Sequence, residues 1–175
     1  MKLNVIRELL PGVNSPAERY FRMVNEGYAE TIDDIGPSFL HGGRYNPRLE
    51  FGVLYLANED ECAFREKLRQ VGGRKDNLLI QTVGSFSVRI SKSLDLTDDR
   101  VLSALDVKAG DLVRDGDWAV PQQVAREARS VGFECIVAPS VVGRECRNLV
   151  VFKDKLSPPS YCTLETGSVR PYEME

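Results

Sequence analysis

The sequence predicts an α+β fold in a single domain. Short apolar runs typical of β-strands outnumber the long helices, and helices do not separate these runs regularly, which argues against a doubly wound parallel sheet. A chain of 175 residues is usually one domain and is long enough to bury a sizeable core. With 42% hydrophobic and 28% charged residues, the composition is typical of a soluble globular protein rather than a disordered chain.

The first 36 residues are predicted to be mostly helical. Apolar residues between 5 and 10 indicate a short amphipathic turn, which Pro11 and Gly12 end. The segment 15–18, Ser-Pro-Ala-Glu, is typical of a helix start, because its serine can cap the first turn and its proline fits inside that turn. Arg22 lies among the apolar residues of this predicted helix, where an arginine is more often a paired or snorkelling surface residue than a ligand.

The segment from Gly42 to Glu66 combines a glycine turn, a strand and a helix start. Two adjacent glycines let the backbone approach a bound group closely, and Arg44 follows them with a fork of donors suited to pyrophosphate or carboxylate. Residues 52–57 form an apolar run with β-formers at its centre, which is typical of a buried strand. Asn58 is predicted to cap the next helix, which carries Glu66 about two turns from its start.

The remaining elements follow from the same signals. Glycines and prolines indicate where helices and strands end, and the spacing of apolar residues indicates their type. The polar stretch after residue 156 is expected to be a peripheral tail. The predicted elements are a helix over 59–71, a strand over 78–90, a short helix ending at 105, a loop over 106–119, a helix over 120–129, a strand over 133–138, a polar turn over 143–147 and a strand over 148–152.

Charge and cysteine content argue against several classes of protein. The formal net charge of −3 and the pI of about 5.4 disfavour a nucleic acid as the main partner, because phosphate backbones require concentrated Lys and Arg. No apolar run has membrane-spanning length, and the N-terminus is too polar for a signal peptide. The four cysteines form no CxxC pair and have no histidine nearby, so we expect neither disulfides nor zinc, in a reducing cytoplasm.

The residues by themselves leave the chemistry open. Glu66 lies nearly opposite the apolar face of its predicted helix, so it either borders a pocket or is a solvated residue that pairs with Arg69, and helical periodicity favours the second alternative. For Arg44 a ligand role and a surface role remain equal alternatives, while Tyr55 inside an apolar run is more often a core residue. His41 is the only histidine, which excludes mechanisms that need a pair of histidines.

The order of the motifs resembles the RES-domain family, which is named for its Arg, Glu and Ser. GGRYN at 42–46, LYLA at 54–57 and ECAFRE at 61–66 are similar to the opening signature of that family. The resemblance covers about residues 20–156 of a single domain over 1–175, and it leaves the extension 1–19 and the tail 157–175 without a counterpart. Later segments fit in the same order, namely LDLTD at 94–98, PQQVAREARSVGFECIVAPS at 121–140 and NLVVF at 148–152.

This resemblance implies an ADP-ribosyltransferase-like fold, with a split mixed β-sheet core and helices around an NAD-binding cleft. It implies that NAD is the substrate and that the nicotinamide–ribose bond is cleaved without a metal, by hydrolysis, phosphorolysis or transfer of ADP-ribose to a protein acceptor. By the match of motifs, the implied catalytic residues are Glu66, Arg44 and Tyr55. The implied NAD-binding residues are Arg22, Arg44, Asn46, Tyr55, Ser140 and Asn148.

The implied roles suit the chemistry of glycosidic bond cleavage. A carboxylate such as Glu66 stabilises an oxocarbenium-like transition state and can hold a ribose hydroxyl. Arg44, assisted by Arg22, would clamp the pyrophosphate. Tyr55 would stack on the nicotinamide or the ribose edge, and Ser140 would bind a ribose or phosphate oxygen.

Members of the RES-domain family act as toxins paired with Xre-type antitoxins, so an Xre-type antitoxin is the expected protein partner and the cytoplasm the expected location. The alternative is a non-catalytic module that binds a nucleotide or a protein partner. An RNA-cleaving toxin ranks third because the chain is acidic and has one histidine. Neither a nucleic acid nor a membrane is expected as a direct partner, and the sequence leaves the oligomeric state open.

Overall fold

The computed structural model describes residues 1–173, apart from the side chains of residues 13–16. The strands are β1 (Gly12–Asn25), β2 (Leu54–Ala57), β3 (Gln81–Asp95), β4 (Cys135–Pro139), β5 (Arg147–Val151), β6 (Tyr161–Leu164) and β7 (Arg170–Pro171). The α-helices are α1 (Gly36–His41), α2 (Asp60–Gln70), α3 (Asp99–Leu105), α4 (Ala109–Val113) and α5 (Ala119–Ser130). Short 3-10 helices occupy Leu3–Glu8, Glu26–Thr31, Lys75–Asn77 and Lys153–Lys155.

The strands form one mixed sheet with helices packed on it, which confirms the predicted α+β fold. Their order is β1-β2-β5-β4-β3-β6, and β7 also pairs with β3. β3 pairs in parallel with β4 and antiparallel with β1, β6 and β7. None of the described helices is long and apolar enough to cross a membrane.

Residues 12–25 form a strand, so the helix that the sequence predicts to begin at 15–18 is wrong. β1 pairs antiparallel with β3 along most of its length. Tyr20 and Phe21 are strong β-formers, and pairing with a long neighbouring strand outweighs the local helix-start pattern at 15–18. The side chains of the predicted capping residues, Ser15 and Pro16, lie outside the part of the chain that the structure describes.

The sheet is split between β1 and β2. These two strands pair at a single position, Phe21 with Ala57, whereas β2 pairs with β5 along its whole length. β1 then continues along β3, so the two strands separate beyond Phe21 and Ala57. An opening is left between the two halves of the sheet, and α2 packs beside it through Ala63 and Phe64, in the same apolar cluster as Met23 of β1.

Two segments carry more structure than the sequence predicts. α4 forms inside the predicted loop 106–119, and its Leu112 is fully buried against α5 and the sheet. The segment expected to be a peripheral tail adds β6 and β7 next to β3. The predicted helices over α2, α3 and α5 and the predicted strands over β2, β3, β4 and β5 are confirmed within a few residues.

Candidate active site

A cleft of about 530 Å³ opens where β1 and β2 separate. Its volume lies within the range of about 300–1,000 Å³ that is usual for ligand pockets. Its wall is formed by β1, β2, the glycine turn, α2 and the segment before α5. Five of the seven predicted site residues line the cleft, namely Arg22, Arg44, Tyr55, Glu66 and Asn148.

The carboxylate of Glu66 is held by two donors from neighbouring strands. Ser140 Oγ donates a hydrogen bond of 2.5 Å to Glu66 Oε1, and Asn148 Nδ2 donates one of 3.1 Å to the same oxygen. Ser140 directly follows β4, and Asn148 of β5 pairs with Ala138 of β4, so the antiparallel register brings the two donors together. Glu66 Oε2 has no hydrogen-bond partner among residues 1–173 and remains available to a ligand.

Helical periodicity favours Arg69 as the partner of Glu66, and this prediction is wrong. Arg69 forms an ion pair between its Nη2 and Oδ1 of Asp115. The donors to Glu66 lie 74 and 82 residues further along the chain. Glu66 is therefore a half-buried residue of the cleft and not a solvated partner of Arg69.

A disulfide between Cys62 and Cys146 attaches α2 to the loop that joins β4 and β5, which corrects the expectation that the chain has no disulfide. The two Cα atoms are 5.5 Å apart, although 84 positions separate the residues in the sequence. Arg65 adds an ion pair with Glu145 and a hydrogen bond to the carbonyl of Val142. The β4–β5 loop is therefore fastened to the helix that carries the central carboxylate.

The sequence predicts that Asn58 caps α2, but Asn58 instead forms a further link to the β4–β5 loop. Its Oδ1 accepts a hydrogen bond of 2.7 Å from the backbone N–H of Arg147, and its Nδ2 donates one of 3.0 Å to the carbonyl of Glu145. The capping position belongs to Glu59, whose side chain makes no capping bond. Asn58 therefore positions the start of β5, two residues after Glu145.

The hydroxyl of Tyr55 stabilises the glycine turn, residues 42–46, through two hydrogen bonds. Its hydroxyl accepts a hydrogen bond from the backbone N–H of Tyr45 and donates one to Asn46 Oδ1, both at 2.9 Å. A Cβ atom on Gly43 would lie 2.7 Å from this hydroxyl, so a glycine is required at that position. Burial raises the pKa of Tyr55 well above its ordinary value, so the hydroxyl remains a donor.

Asn46 lies behind Tyr55 and does not line the cleft, which differs from its predicted role in binding NAD. It is 0% exposed. Its Nδ2 donates hydrogen bonds to the carbonyls of Ser38 at 2.8 Å and Phe51 at 3.1 Å. All the polar groups of its side chain are used inside the protein, so Asn46 fixes the turn and leaves ligand contacts to its neighbours.

The guanidinium of Arg44 is anchored at the end of α4. Its Nη1 donates to the carbonyl of Leu112 at 3.1 Å and to that of Arg114 at 2.8 Å. Its Nη2 lies 3.9 Å from Asp115 Oδ1, and the side chain is 17% exposed. The segment that the sequence predicts as a loop therefore orients Arg44, while its Nε makes no hydrogen bond with the described residues.

Two further cations line the β1 side of the cleft. Arg22 Nη1 donates a hydrogen bond of 3.2 Å to the carbonyl of Asp34. Lys67, the residue after Glu66, has neither a hydrogen bond nor an ion pair within the described part of the chain. Burial lowers the pKa of Lys67, and the nearby charge of Arg22 lowers it further. Burial also lowers the pKa of Arg22, against the opposing charges of Asp34 and Asp33.

The family model of the RES domain matches residues 19–167. The chain belongs to the RES domain family. This RES domain is 36% identical over 112 residues to a Mycobacterium tuberculosis protein named Probable NAD(+) phosphorylase, in a match that covers 63% of this chain and 53% of the relative. The chain therefore spans about half the length of that curated relative.

Among solved structures, this RES domain resembles a chain of the M. tuberculosis MbcT–MbcA toxin–antitoxin complex. The TM-score is 0.76 with 20% sequence identity, and the likeness covers 97% of this chain and 91% of that chain. At this identity the comparison shows the fold alone. Nearly the whole chain, including residues outside the family match, therefore belongs to the shared fold.

Sequence reasoning missed several residues of the RES cleft. Trp118 lines the cleft before α5 and is 41% exposed. A lone tryptophan in a polar segment of the sequence was a signal for a binding site. Gln122, one turn further on, does not line the cleft but supports Gly43, because it donates a hydrogen bond of 2.9 Å to the carbonyl of that residue. Lys67 gave no signal, because a lysine on a polar helix face is ordinary. Within residues 1–173, no group of three or more His, Cys, Asp or Glu side chains could hold a metal ion.

Proposed function

We propose that this RES domain cleaves the nicotinamide–ribose bond of NAD. The observation that carries the proposal is the position of Glu66 in the cleft, with Oε1 held by Ser140 and Asn148. A fixed carboxylate beside a sugar stabilises the positive charge that develops when a glycosidic bond breaks. The family match and the name of the M. tuberculosis relative support NAD as the substrate.

In this mechanism the carboxylate of Glu66 lies beside the C1 atom of the nicotinamide ribose. The bond from C1 to the ring nitrogen breaks, and its electron pair neutralises the cationic nicotinamide ring. Glu66 stabilises the oxocarbenium character at C1, and its Oε2 accepts a hydrogen bond from a ribose hydroxyl. Neutral nicotinamide leaves without protonation, so the mechanism needs no histidine acid and agrees with His41 being the only histidine.

The other side chains of the cleft bind and orient NAD. Arg44 has a planar fork of donors suited to a pyrophosphate, and its anchoring at α4 fixes that fork in advance. Tyr55 uses its hydroxyl to hold the turn, so its ring is the part that contacts the substrate. The hydroxyl of Ser140 donates to Glu66, which makes Ser140 a positioning residue for that carboxylate rather than a ribose ligand.

We propose phosphorolysis as the reaction, with hydrolysis and transfer to a protein acceptor as the alternatives. The name of the curated relative supports this choice. Purified protein is incubated with NAD, with and without inorganic phosphate, and nicotinamide is measured by chromatography. The expected result is release of nicotinamide that depends on phosphate. If no nicotinamide is released with phosphate, with water or with protein acceptors, the proposed function is overturned.

We also propose that the protein is a toxin acting in the cytoplasm, where NAD is available, and that an Xre-type antitoxin covers the cleft. The likeness to a chain of a toxin–antitoxin complex supports this proposal. An antitoxin that buries Arg44 must place an acidic or polar group against it, because an unpaired buried charge is costly. Expression of the wild type alone should arrest growth, and Glu66→Gln should relieve the arrest. An arrest that persists in Glu66→Gln would count against NAD cleavage as its cause.

A further inference from the structure

We propose that Arg69 and Arg44 together bind the pyrophosphate of NAD, and that the carboxylate of Asp115 occupies this anion site until NAD displaces it. The inference rests on the proposed NAD-cleaving function and adds to it a second ligand of the pyrophosphate and an internal competitor. Both arginines line the cleft. Asp115 lies in the loop between α4 and α5 and does not line the cleft.

The two guanidinium groups meet at a single oxygen atom. Arg69 Nη2 forms an ion pair with Asp115 Oδ1, and Arg44 Nη2 lies 3.9 Å from the same oxygen. Arg69 belongs to α2 and Arg44 to the glycine turn, so side chains from two separate segments face one point. Carboxylate and phosphate oxygens accept hydrogen bonds from arginine in the same way, so the fold holds an anion at this point.

The two arginines have more hydrogen-bond donors than one carboxylate uses. Arg69 makes no other hydrogen bond with residues 1–173. Arg44 donates from Nη1 to two carbonyls, which leaves its Nη2 and Nε for a ligand. The neighbouring carboxylates of Asp111 and Asp117 pair with Arg114 instead. The pyrophosphate of NAD carries two negative charges over several oxygens, so it matches two guanidinium groups better than a single carboxylate does.

The side chain of Asp115 can leave this position at little cost to the fold. It is 76% exposed, compared with 17% for Arg44 and 37% for Arg69. Its Oδ2 makes no hydrogen bond within the part of the chain that the structure describes. An exposed ion pair contributes little to the free energy of unfolding, so a ligand with two charges can displace the carboxylate. The bond from Arg44 to the carbonyl of Arg114 is a backbone contact and does not depend on this side chain.

The position of Arg69 on α2 favours the pyrophosphate of NAD over inorganic phosphate as the ligand. Arg69 lies three residues after Glu66, so the two side chains share one side of the helix, about 4.5 Å apart along its axis. In NAD the pyrophosphate is joined to the nicotinamide ribose through one methylene group. A ribose whose C1 atom lies beside Glu66 therefore brings its own pyrophosphate toward Arg69 and Arg44, whereas inorganic phosphate has no such tether.

The first test measures the Kd for ADP by calorimetry, and the KM for NAD and for phosphate by release of nicotinamide. ADP contains the pyrophosphate but no nicotinamide ribose, so its binding is measured without turnover. Arg69→Gln should raise the Kd for ADP and the KM for NAD by about 5- to 50-fold, and leave the KM for phosphate within about twofold. Arg69→Lys should restore part of the affinity, because lysine keeps the charge without the planar fork.

Asp115→Asn should change the same constants in the opposite direction. Removal of the competing charge should lower the Kd for ADP and the KM for NAD by about two- to fivefold, since an exposed ion pair is weak. Loss of a structural support would raise both constants, so a gain in affinity identifies a competitor. Arg126→Gln and Glu50→Gln are the matched controls, because these residues form an ion pair that does not line the cleft. Thermal unfolding checks that each variant is folded.

Four results would overturn the inference. An unchanged Kd for ADP in Arg69→Gln would leave Arg69 as a partner in a surface ion pair. A rise in the KM for phosphate alone would assign the two arginines to inorganic phosphate. Weaker binding of ADP in Asp115→Asn would make Asp115 a structural support, and a wild type that binds no ADP would have no such site. If the wild type releases no nicotinamide, the proposed function fails, but binding of ADP that is lost in Arg69→Gln still supports the pyrophosphate site.

Discussion

The hydroxyl of Ser140 lies 2.5 Å from Glu66 Oε1, across 74 positions of sequence. Asn148 binds the same oxygen, so the carboxylate is fixed from the ends of two strands while its helix is fastened to the loop between them. A carboxylate that is oriented before substrate binds loses little energy to reorganisation during the reaction. Ser140 therefore acts through Glu66, and we expect substitutions at the two residues to lower kcat by different amounts.

Glu66→Gln should lower kcat by about 100- to 1,000-fold and leave the Kd for NAD within about threefold, because the lost charge acts in the transition state. Ser140→Ala should lower kcat less, by about tenfold, since it acts through Glu66. The two losses should not add in the double variant. Nicotinamide release and calorimetry provide the measurements, with exposed Glu30→Gln as control. If Glu66→Gln released nicotinamide at the wild-type rate, Glu66 would have a structural and not a catalytic role.

Arg44→Ala should raise KM for NAD by about 10- to 100-fold, because it removes charged hydrogen bonds to the pyrophosphate. Steady-state kinetics at saturating phosphate checks this. Arg48→Ala is a matched control from the same turn, since Arg48 is exposed, donates to the carbonyl of Leu40 and does not line the cleft. An unchanged KM for NAD in Arg44→Ala would mean that another group binds the pyrophosphate.

Tyr55→Phe should lower the free energy of unfolding by about 1–3 kcal/mol, because the N–H of Tyr45 and Oδ1 of Asn46 both lose a partner inside the protein. Activity should fall as well, since the turn that carries Arg44 loses its support. Urea unfolding measures the stability, and Tyr28→Phe is the control, because Tyr28 is 59% exposed. Equal stability of the two variants would show that water replaces the missing hydroxyl.

The stability of the fold is expected to depend on pH through the buried carboxyl group of Glu134. It is 2% exposed and accepts hydrogen bonds from Ser160 Oγ at 2.6 Å and from the backbone N–H groups of Ser91 and Lys92. Burial would raise its pKa, but these hydrogen bonds and that from Ser157 outweigh burial, so the pKa lies below the ordinary value of 4.5. Ionised Glu134 therefore stabilises the fold above that value, and the contribution is lost as the pH falls through the lowered pKa.

Glu134→Gln should lower the free energy of unfolding at pH 7 by about 1–3 kcal/mol, and the difference from the wild type should shrink at about pH 3. The sign follows from the lowered pKa, because only the wild type has an ionised group to lose on acidification. Urea unfolding at the two pH values gives the comparison. A difference that stays constant with pH would show that the carboxylate charge contributes nothing.

Reduction of the Cys62–Cys146 disulfide should lower the free energy of unfolding by about 2–4 kcal/mol, because the bond closes a long loop. The number of thiols titrated in denaturant should rise from two, Cys135 and Cys162, to four. Cys62→Ser should reproduce the loss, and Cys162→Ser serves as control. If the untreated protein already shows four thiols, the pair is reduced under those conditions.

Much of the cleft could be predicted from the sequence because its residues occur in short motifs that resemble the RES-domain family, whereas periodicity alone favoured a solvated Glu66 and a core Tyr55. The glycine turn with Arg44, the strand with Tyr55 and the helix with Glu66 follow one another within 25 residues. Local patterns also indicated α3, α5 and the central strands. Arg44, Tyr55 and Glu66 line one cleft because β2 and its two flanking segments are consecutive in the chain.

The rest depends on contacts between distant residues. β1 is a strand because β3 is available to pair with it, which overrides a local helix-start pattern. The partners in the Cys62–Cys146 disulfide and around Glu66 are more than 70 residues apart, and no spacing rule connects them. Lys67 of α2 and Arg22 of β1 line the same cleft only because the fold brings these two elements together.

Trp118 gives this cleft an optical reporter of its own. It is the only tryptophan in the chain, so all the indole emission of the protein comes from the wall of the cleft. Trp118 is 41% exposed, so a ligand that displaces water from its ring changes the emission without any added label. Nicotinamide, AMP and phosphate can each be titrated separately against the same signal, which would divide the cleft into its binding regions before any turnover is measured.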